Sequence, residues 1–334
     1  MRSNNTSAFL RPLPIATLPV LMALVVPAFG PAGTRPLRAP YPAARVASTP
    51  SLTPAGKLTV FAGTGSFGLP RPGPATKSAL AGPTAVALDV HGDLFIADHA
   101  NNMVEEVTPA GKLSVVAGTG KPGLPTPGPA IKSALNAPSG VALDAHGDLF
   151  IADSNNNVVE EVTPAGKLSV VAGNGHVGSP TPGTATKSAL DDPSGVALDA
   201  HGDLFISDSF NQVVEKVTPT GMLSIVAGVA GESGPPTPGP ATSSHLDYPY
   251  GVAVDAKGDL FIADWANNVV EEVTPTGKLS IAVGNGDEGP PTPGSATSSP
   301  LGGANGGPTG VVVGANGTLF VSDQGNNVIE EVKY

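Results

Sequence analysis

The sequence predicts an all-β fold, a β-propeller of five four-stranded blades. Three observations point to it: a unit repeats five times, each unit holds four short apolar runs separated by turn residues, and the first and last units are incomplete in complementary ways. The chain has 43 Gly and 36 Pro among 334 residues, which would indicate disorder if these residues were not periodic. A hydrophobic content of 40 % is enough to form a sizeable core.

The repeat is visible in the phrase that begins at Pro138 and reads PSGVALD. Related phrases begin at Pro83, Pro193, Pro249 and Pro308, with successive spacings of 55, 55, 56 and 59 residues. Residues 138–173 and 193–228 are identical at 29 of 36 positions. The units are therefore copies of one structural element, as in solenoids and propellers.

Each unit contains four predicted strands, which we name a, b, c and d. In the second unit these are residues 140–144, 148–153, 157–163 and 167–173. Their Val, Ile, Leu and Phe content, their length and their flanking Gly, Pro, Asn and Asp are typical of strands. Residues 145–147 predict a tight a–b hairpin turn. Residues 164–166 predict a tight c–d turn, because Pro164 presets φ and Gly166 permits a positive φ.

The two ends of the repeat region predict how the ring closes. The last unit stops after its c-strand at 327–334, whereas residues 53–63 resemble a d-strand without a blade of its own. Five copies of each strand make twenty strands. We expect the N-terminal strand to complete the last blade and close the ring, which would leave no open sheet edge.

The N-terminal residues have a different composition. Arg2 and Arg11 precede an apolar stretch at 13–29, and small residues follow it. Residues 1–32 are therefore predicted to be a signal peptide or an N-terminal anchor, residues 33–52 a Pro/Ala-rich linker and residues 53–334 the propeller. The expected location is secreted or extracytoplasmic, with surface tethering and membrane contact only through an uncleaved N-terminal segment.

Charge and cysteine content exclude several functions. The net charge is −11, but all 28 acidic side chains and 12 of the 17 basic ones lie in residues 51–334, which gives that region a net charge of −16. Such a region repels phosphate backbones, so no nucleic-acid partner is expected. The absence of cysteine rules out disulfides and thiol nucleophiles.

Three segments of the unit carry a family resemblance: Gly140–Asp144 (GVALD), Gly147–Asp153 (GDLFIAD) and the Asn156–Gly166 segment, with the tail VAGxG at 171–175. Together they resemble NHL repeats. The insert segment Gly128–Leu135 (GPAxKSAL) resembles the version with extended inter-blade inserts that is common in secreted bacterial proteins of the family. The resemblance implies a β-propeller, although relatives more often have six blades than five. It leaves the function open, because NHL relatives include protein- and RNA-binding scaffolds, sensor ectodomains, amidating lyases and gluconolactonase-like hydrolases.

Most acidic residues occupy repeated positions, where we interpret them as structural. Aspartates follow strand a, precede strand b and end strand b, and each is expected to cap its own turn through backbone N–H groups. The Glu-Glu pairs of strand c, such as Glu160-Glu161, are interpreted as a solvated blade rim, because neighbouring strand residues point to opposite faces. His91, His146 and His201 share one hairpin position, and no metal site is predicted there.

The candidate binding residues lie where the repeat varies. We name the three residues between strands b and c, of which the first two vary among the units, the connector. The long segment between strand d and the next strand a is named the insert. Connectors and inserts are expected to share one face of the ring, opposite the hairpins. Aromatic, amide and imidazole groups on loops suit sugar or peptide recognition. The predicted binding residues are His99, Asn155, Phe210, Tyr248, Tyr250, Trp265 and Gln324.

Three functions follow from this pattern. The first is a secreted or cell-surface binding or scaffold propeller that recognises a protein or glycan on the face bearing the inserts. The second is a calcium-dependent enzyme resembling propeller lactonases or lyases, for which a unique polar cluster would be needed around the axis. The third is a purely structural surface repeat protein. No catalytic residue and no cofactor is predicted; calcium belongs only to the enzyme alternative.

Overall fold

The structure is a computed structural model that describes residues 59–303, 306–314 and 316–333. The predicted signal peptide or anchor (1–32), the linker (33–52) and residues 53–58 of the predicted closing strand lie outside this range. The described residues form 23 strands, numbered β1–β23 in chain order, and eight one-turn 3-10 helices. Among these residues, no helix is long and apolar enough to cross a membrane.

The predicted five blades are confirmed. The a-strands are β2, β7, β12, β17 and β21, at Pro83–Leu88, Pro138–Leu143, Pro193–Leu198, Pro249–Val254 and Pro308–Val313. The b-strands are β3, β8, β13, β18 and β22, at Leu94–Asp98, Leu149–Asp153, Leu204–Asp208, Leu260–Asp264 and Leu319–Asp323. The c-strands are β4, β9, β14, β19 and β23, at Met103–Val107, Val158–Val162, Val213–Val217, Val269–Val273 and Val328–Val332. The d-strands are β5, β10, β15 and β20, at Lys112–Ala117, Lys167–Ala172, Met222–Gly228 and Lys278–Val283.

The inserts add a fifth strand that the sequence did not predict. Two-residue strands pair antiparallel with the outer edge of the d-strands, so the first four sheets have five strands each. These strands are β1, β6, β11 and β16, at Gly73–Pro74, Gly128–Pro129, Gly183–Thr184 and Gly239–Pro240. Each is followed by a 3-10 turn, at Ala75–Lys77, Ala130–Lys132, Ala185–Lys187 and Ala241–Ser243, and the fifth insert has one at Ala296–Ser298.

Neighbouring blades pack face to face, with the a-strands innermost. The cluster between the first two blades combines Ala97 and Val104 of one with Leu149, Ile151 and Val162 of the next. Equivalent clusters join the second blade to the third, the third to the fourth and the fourth to the fifth. Both faces of an inner blade are therefore buried, unlike those of a sheet with one solvated side.

Glycines allow the a-strands to approach one another closely. A Cβ atom on Gly140 would lie 2.5 Å from the Ser194 carbonyl oxygen, and one on Gly195 would lie 2.3 Å from the Tyr250 carbonyl oxygen. No side chain fits at such distances without moving the backbone. The first blade has Ala85 at this position.

The predicted capping of the a–b hairpins is confirmed. The Asp144 carboxylate accepts 2.8 Å hydrogen bonds from the backbone N–H groups of His146 and Asp148. The aspartates that follow the other three regular a-strands, Asp89, Asp199 and Asp255, do the same.

The fifth sheet differs from the others, because its described part contains only strands a, b and c. Residues 59–63 form no strand, and the rest of the predicted closing strand lies outside the described residues. The face of this sheet that turns away from the fourth blade is less covered. Phe320 on this face is 37 % exposed, whereas Phe261 at the same position of the fourth blade is 5 % exposed. Closure by the N-terminal strand therefore stays a prediction.

Candidate functional site

The connectors are built by a local turn and tied to the inserts. In the second blade, Ser154–Asn156 forms a 3-10 turn, and Asn157 ends it with φ 55°. The Asn156 side-chain amide donates to the Asp153 carboxylate (2.6 Å) and to the Gly123 carbonyl oxygen in the insert (2.7 Å). Connectors and inserts therefore share one face, as predicted.

Within the described residues, four of the five aspartates that end the b-strands do not cap their own turns, which corrects the sequence-based interpretation; Asp323 does, since it accepts from the backbone N–H of Asn326 at 3.1 Å. Asp153 accepts a 2.6 Å hydrogen bond from the backbone N–H of Asn136, which is 17 residues earlier in the insert. Asp98, Asp208 and Asp264 make the same long-range bond, and Asp323 bonds to Gly302. These carboxylates hold the insert to the blade.

The prediction that the Glu-Glu pairs of strand c form a solvated rim was wrong for the first glutamate of the pair in each of the first four blades. In the third blade the pair is Glu215-Lys216. Glu105, Glu160, Glu215 and Glu271 are each 0 % exposed. Neither carboxyl oxygen of these residues has a hydrogen-bond partner within the described residues. For Glu160, Glu215 and Glu271 the reason is that both faces of an inner blade are covered by its neighbours, so alternation along the strand sends one glutamate of each pair into a blade interface.

Burial and a neighbouring carboxylate both disfavour ionisation of these glutamates. Burial, followed by the charge of Asp98, raises the pKa of Glu105 from 4.5 to about 9. The pKa of Glu160 is also raised, first by burial and then by Asp153, to which the protonated glutamate can donate a hydrogen bond. The glutamates are therefore held in the neutral form at neutral pH.

Hydroxyl groups line the inner ends of the connectors in the second and third blades. The Ser154 hydroxyl lies 2.7 Å from that of Ser139 and 2.6 Å from the Pro193 carbonyl oxygen of the next blade. Ser194 and Ser209 form the equivalent pair one blade later. These polar contacts link the connector of one blade to the a-strand of the following blade.

In the fourth blade, aromatic side chains replace this hydroxyl pair. Tyr250 takes the place of Ser194, and Trp265 takes the place of Ser209. Their rings meet edge to face at 6.0 Å between centroids. Tyr248 adds contacts of 6.1 Å to Trp265 and 5.4 Å to Phe210, also edge to face. We name these four residues the aromatic cluster; it spans two neighbouring blades.

One ring of the aromatic cluster is exposed, and the other three are half-buried and packed against neighbouring residues. Phe210 is 48 % exposed, whereas Tyr248, Tyr250 and Trp265 are half-buried. A Cβ atom on Gly306 would lie 2.3 Å from the indole nitrogen of Trp265, so the glycine-rich fifth insert packs directly on this ring. The backbone around Tyr248 is also fixed, since its N–H donates to the Gln212 side chain at 2.7 Å and its φ is 56°.

Three aspartates, Asp191, Asp192 and Asp247, are neighbours of the aromatic cluster. The Phe210 N–H donates to the Asp191 carbonyl oxygen at 3.1 Å, and Asp247 directly precedes Tyr248 in the chain. Burial, followed by the charges of Asp192 and Tyr248, raises the pKa of the Tyr250 hydroxyl to about 12. Burial and then Asp191 raise the pKa of Asp192 to about 6.

The remaining predicted site residues are not members of the aromatic cluster. His99 is half-buried beside Ser139, with 3.4 Å between its Nδ1 and the serine hydroxyl, and burial lowers its pKa. Asn155 is exposed, and its backbone N–H donates to the Asn136 carbonyl oxygen. Gln324 is half-buried on the fifth connector. The structure thus brings four of the seven predicted residues into contact with one another.

Sequence reasoning missed the carboxylates beside the aromatic cluster. Asp191, Asp192 and Asp247 were available as a signal, because the first two blades have Ala81, Gly82, Asn136 and Ala137 at the corresponding positions. Within the described ranges, no group of three or more His, Cys, Asp or Glu side chains is arranged to hold a metal ion.

The sequence is similar to parts of known proteins. No family model matches the chain. NHL repeat-containing protein 2 of Homo sapiens is 27 % identical over 305 residues, covering 79 % of this chain and 41 % of the relative. Teneurin-3 of Mus musculus is 26 % identical over 284 residues, covering 73 % of this chain and 10 % of the relative. The chain thus spans less than half the length of either curated relative.

Among solved structures, an auxiliary nutrient binding protein from Bacteroides thetaiotaomicron matches with a TM-score of 0.59 and 13 % identity, covering 78 % of this chain and 61 % of that one. This likeness concerns the fold, which is a β-propeller assembled from sequence repeats. The fold is a β-propeller, and the repeated phrases and the human relative support an NHL-type one.

Proposed function

We propose that this chain is a secreted or surface-tethered binding propeller that holds a protein or glycan ligand on the face bearing the connectors and inserts. The aromatic cluster is the observation that carries the proposal. In the second and third blades the same positions hold serine hydroxyls bonded to the next blade, and the first and fifth blades have Thr84 with His99 and Thr309 with Gln324, so Tyr250 and Trp265 are not required by the blade architecture.

The geometry of the cluster suits recognition. Aromatic side chains provide large contact areas with few rotatable bonds, and the glycine-rich insert and the Tyr248 backbone hydrogen bond restrict their movement. The exposed edge of Phe210 leaves apolar surface available to a ligand. Loops on a rigid scaffold are also the usual place of binding residues.

Two features of the relatives support this assignment. A structural neighbour that shares the fold is named an auxiliary nutrient binding protein, and teneurins contain a region similar to this chain. Secretion is proposed from the N-terminal sequence, where a charged start, an apolar stretch and small residues follow one another.

The test is a binding screen of the purified chain against glycan and peptide arrays, with Trp265→Ala, Tyr250→Ala and Phe210→Ala compared with the parent. Each variant should weaken binding of the ligand found. Phe67→Ala is the matched control, because Phe67 is a 74 % exposed aromatic residue on the first insert, and its removal should leave binding unchanged. Parent-like binding by all three variants would show that the site is elsewhere.

A parallel assay separates binding from catalysis. The same preparation is incubated with lactones in the presence of Ca²⁺ and after chelation. No turnover is expected under either condition. Turnover that chelation abolishes would replace the proposal with the calcium-dependent enzyme alternative.

A further inference from the structure

The acidic residues that break the repeat are not spread evenly around the ring. Six of them fall outside the acidic positions that recur in four or five units, and all six lie in the third, fourth and fifth inserts: Asp191, Asp192, Glu232, Asp247, Asp287 and Glu288. The first two inserts, at 64–82 and 119–137, contain no acidic residue but four basic ones, Arg71, Lys77, Lys121 and Lys132. The insert face therefore has a basic half and an acidic half.

The acidic half coincides with the aromatic cluster. The fourth and fifth inserts, at 229–248 and 285–307, contain no Lys or Arg, and the third contains only Lys187. Asp191, Asp192 and Asp247 are each joined to the cluster by sequence adjacency, a backbone hydrogen bond or the electrostatic effect on Tyr250. The unique acids and the unique aromatics thus occur on the same part of the face.

We propose that the aromatic cluster and its carboxylates bind a peptide segment carrying several Lys or Arg side chains. The inference rests on the proposed binding function and adds the ligand class to it. Ammonium and guanidinium groups are attracted both to carboxylates and to the faces of Trp and Tyr rings. A neutral sugar would gain from the rings but not from the acids.

The spacing of the acids favours a basic peptide over a single small cation. The six carboxylates are distributed over three consecutive inserts, and in the described part of the chain no three of them converge on one point. Separate negative positions along a surface match a polymer with cations at intervals, such as an extended peptide whose alternate side chains face the same way. Long Lys and Arg side chains can also reach the partly recessed rings.

The experiment compares two labelled peptides of the same length, one with alternating Lys and Gly and one in which every Lys is acetylated. The parent should bind the Lys peptide on the order of tenfold more tightly than the acetylated peptide, and the difference should shrink as salt rises. Equal affinity for both, lost in Trp265→Ala, would overturn the charge inference while leaving the binding site intact. No binding of either peptide would overturn the inference for this ligand class.

The carboxylates are tested with the triple variant Asp191→Asn/Asp192→Asn/Asp247→Asn. The amides keep the shape of the carboxylates, and Asn is well tolerated at Asp192, where φ is 58°. The triple variant should bind the Lys peptide on the order of tenfold more weakly, given the usual strength of exposed ion pairs. Glu331→Gln, a charge removed from the c-strand of the fifth blade, should leave binding unchanged.

Two outcomes would contradict the assignment of the acids. Parent-like binding of the Lys peptide by the triple variant would show that the carboxylates do not contribute. Binding of a chitosan oligomer in place of the Lys peptide would show that the cation belongs to an amino sugar. Circular dichroism and thermal melting of every variant separate loss of binding from loss of folding.

Discussion

Glu160 and Asp153 are buried diagonal neighbours on two strands of the second blade, on the face that packs against the first blade. The first-blade side chains opposite this face are apolar: Ala85, Ala97, Val104 and Ala117. Asp153 receives hydrogen bonds from Asn136 and Asn156, whereas Glu160 has only Asp153 beside it. A proton on Glu160 therefore supplies the hydrogen bond that two ionised carboxylates could not make.

This arrangement predicts that the propeller loses stability as the pH rises. The folded-state pKa of the buried glutamates lies above the unfolded value, so their contribution to stability is complete below the unfolded pKa and is lost toward the folded one. For Glu105 the interval runs from 4.5 to about 9. The Tm of the parent should fall between pH 5 and pH 9, as measured by calorimetry.

The variant Glu160→Gln should reduce this fall, because the amide donates to Asp153 at any pH. Glu161→Gln is its control, since Glu161 lies on the opposite face of the same strand and is only half-buried. A parent Tm that stays level or rises across this interval would contradict the assignment of a neutral Glu160.

A second prediction concerns the link between connector and insert. Asn156→Ala removes two hydrogen bonds and leaves the buried Asp153 carboxylate short of a donor. The expected cost is about 1–3 kcal/mol of unfolding free energy, measured by urea denaturation. Asn155→Ala removes the exposed neighbouring amide and should change stability by less than about 0.5 kcal/mol. Equal effects of the two substitutions would refute the role of Asn156.

A third prediction tests the packing of the a-strands. Gly195→Ala places a methyl group 2.3 Å from the Tyr250 carbonyl oxygen, so the two strands must move apart. The expected loss is about 1–3 kcal/mol, and folding should survive because Ala85 occupies this position in the first blade. Gly234→Ala, whose Cβ would have its nearest neighbour at 3.6 Å, serves as the control and should melt near the parent temperature.

The predicted closing strand can be tested in the full chain with Leu58→Asp. Leu58 corresponds in the repeat to Leu113, Leu168 and Leu279, each 0 % exposed. If residues 53–63 complete the fifth blade, a charge at this position should lower the Tm by several degrees. Thr59→Asp, at the neighbouring position of the opposite face, should have a smaller effect. If the Leu58→Asp protein melts at the same temperature as the parent, residues 53–63 do not complete the fifth blade.

The blades were predictable because each one repeats the same strands and the same hairpin caps. The burial of Glu160 was not, since alternation along a strand assigns residues to faces without saying which faces are covered. The long-range bond from Asp153 to Asn136 depends on how the insert folds back, which local turn patterns do not encode.

The candidate site was also predictable from the sequence only in part. Variation among the connectors located Phe210 and Trp265 on the correct face. The contacts of Tyr248 with both rings depend on its left-handed backbone conformation, which is rare for an aromatic residue. His99 and Asn155 vary in the same way but lie at a different part of the ring, so sequence variation alone could not separate them from the aromatic cluster.

The two halves of the insert face also affect how a partner arrives. A basic sector and an acidic sector on one surface produce a lateral electric field, which turns an approaching charged molecule before contact. A partner with its own charge asymmetry would meet the ring in one rotational orientation, so fewer encounters would be unproductive. The orientation of the complex would then be selected during diffusion, and its association rate would slow as added salt shortens the range of the field.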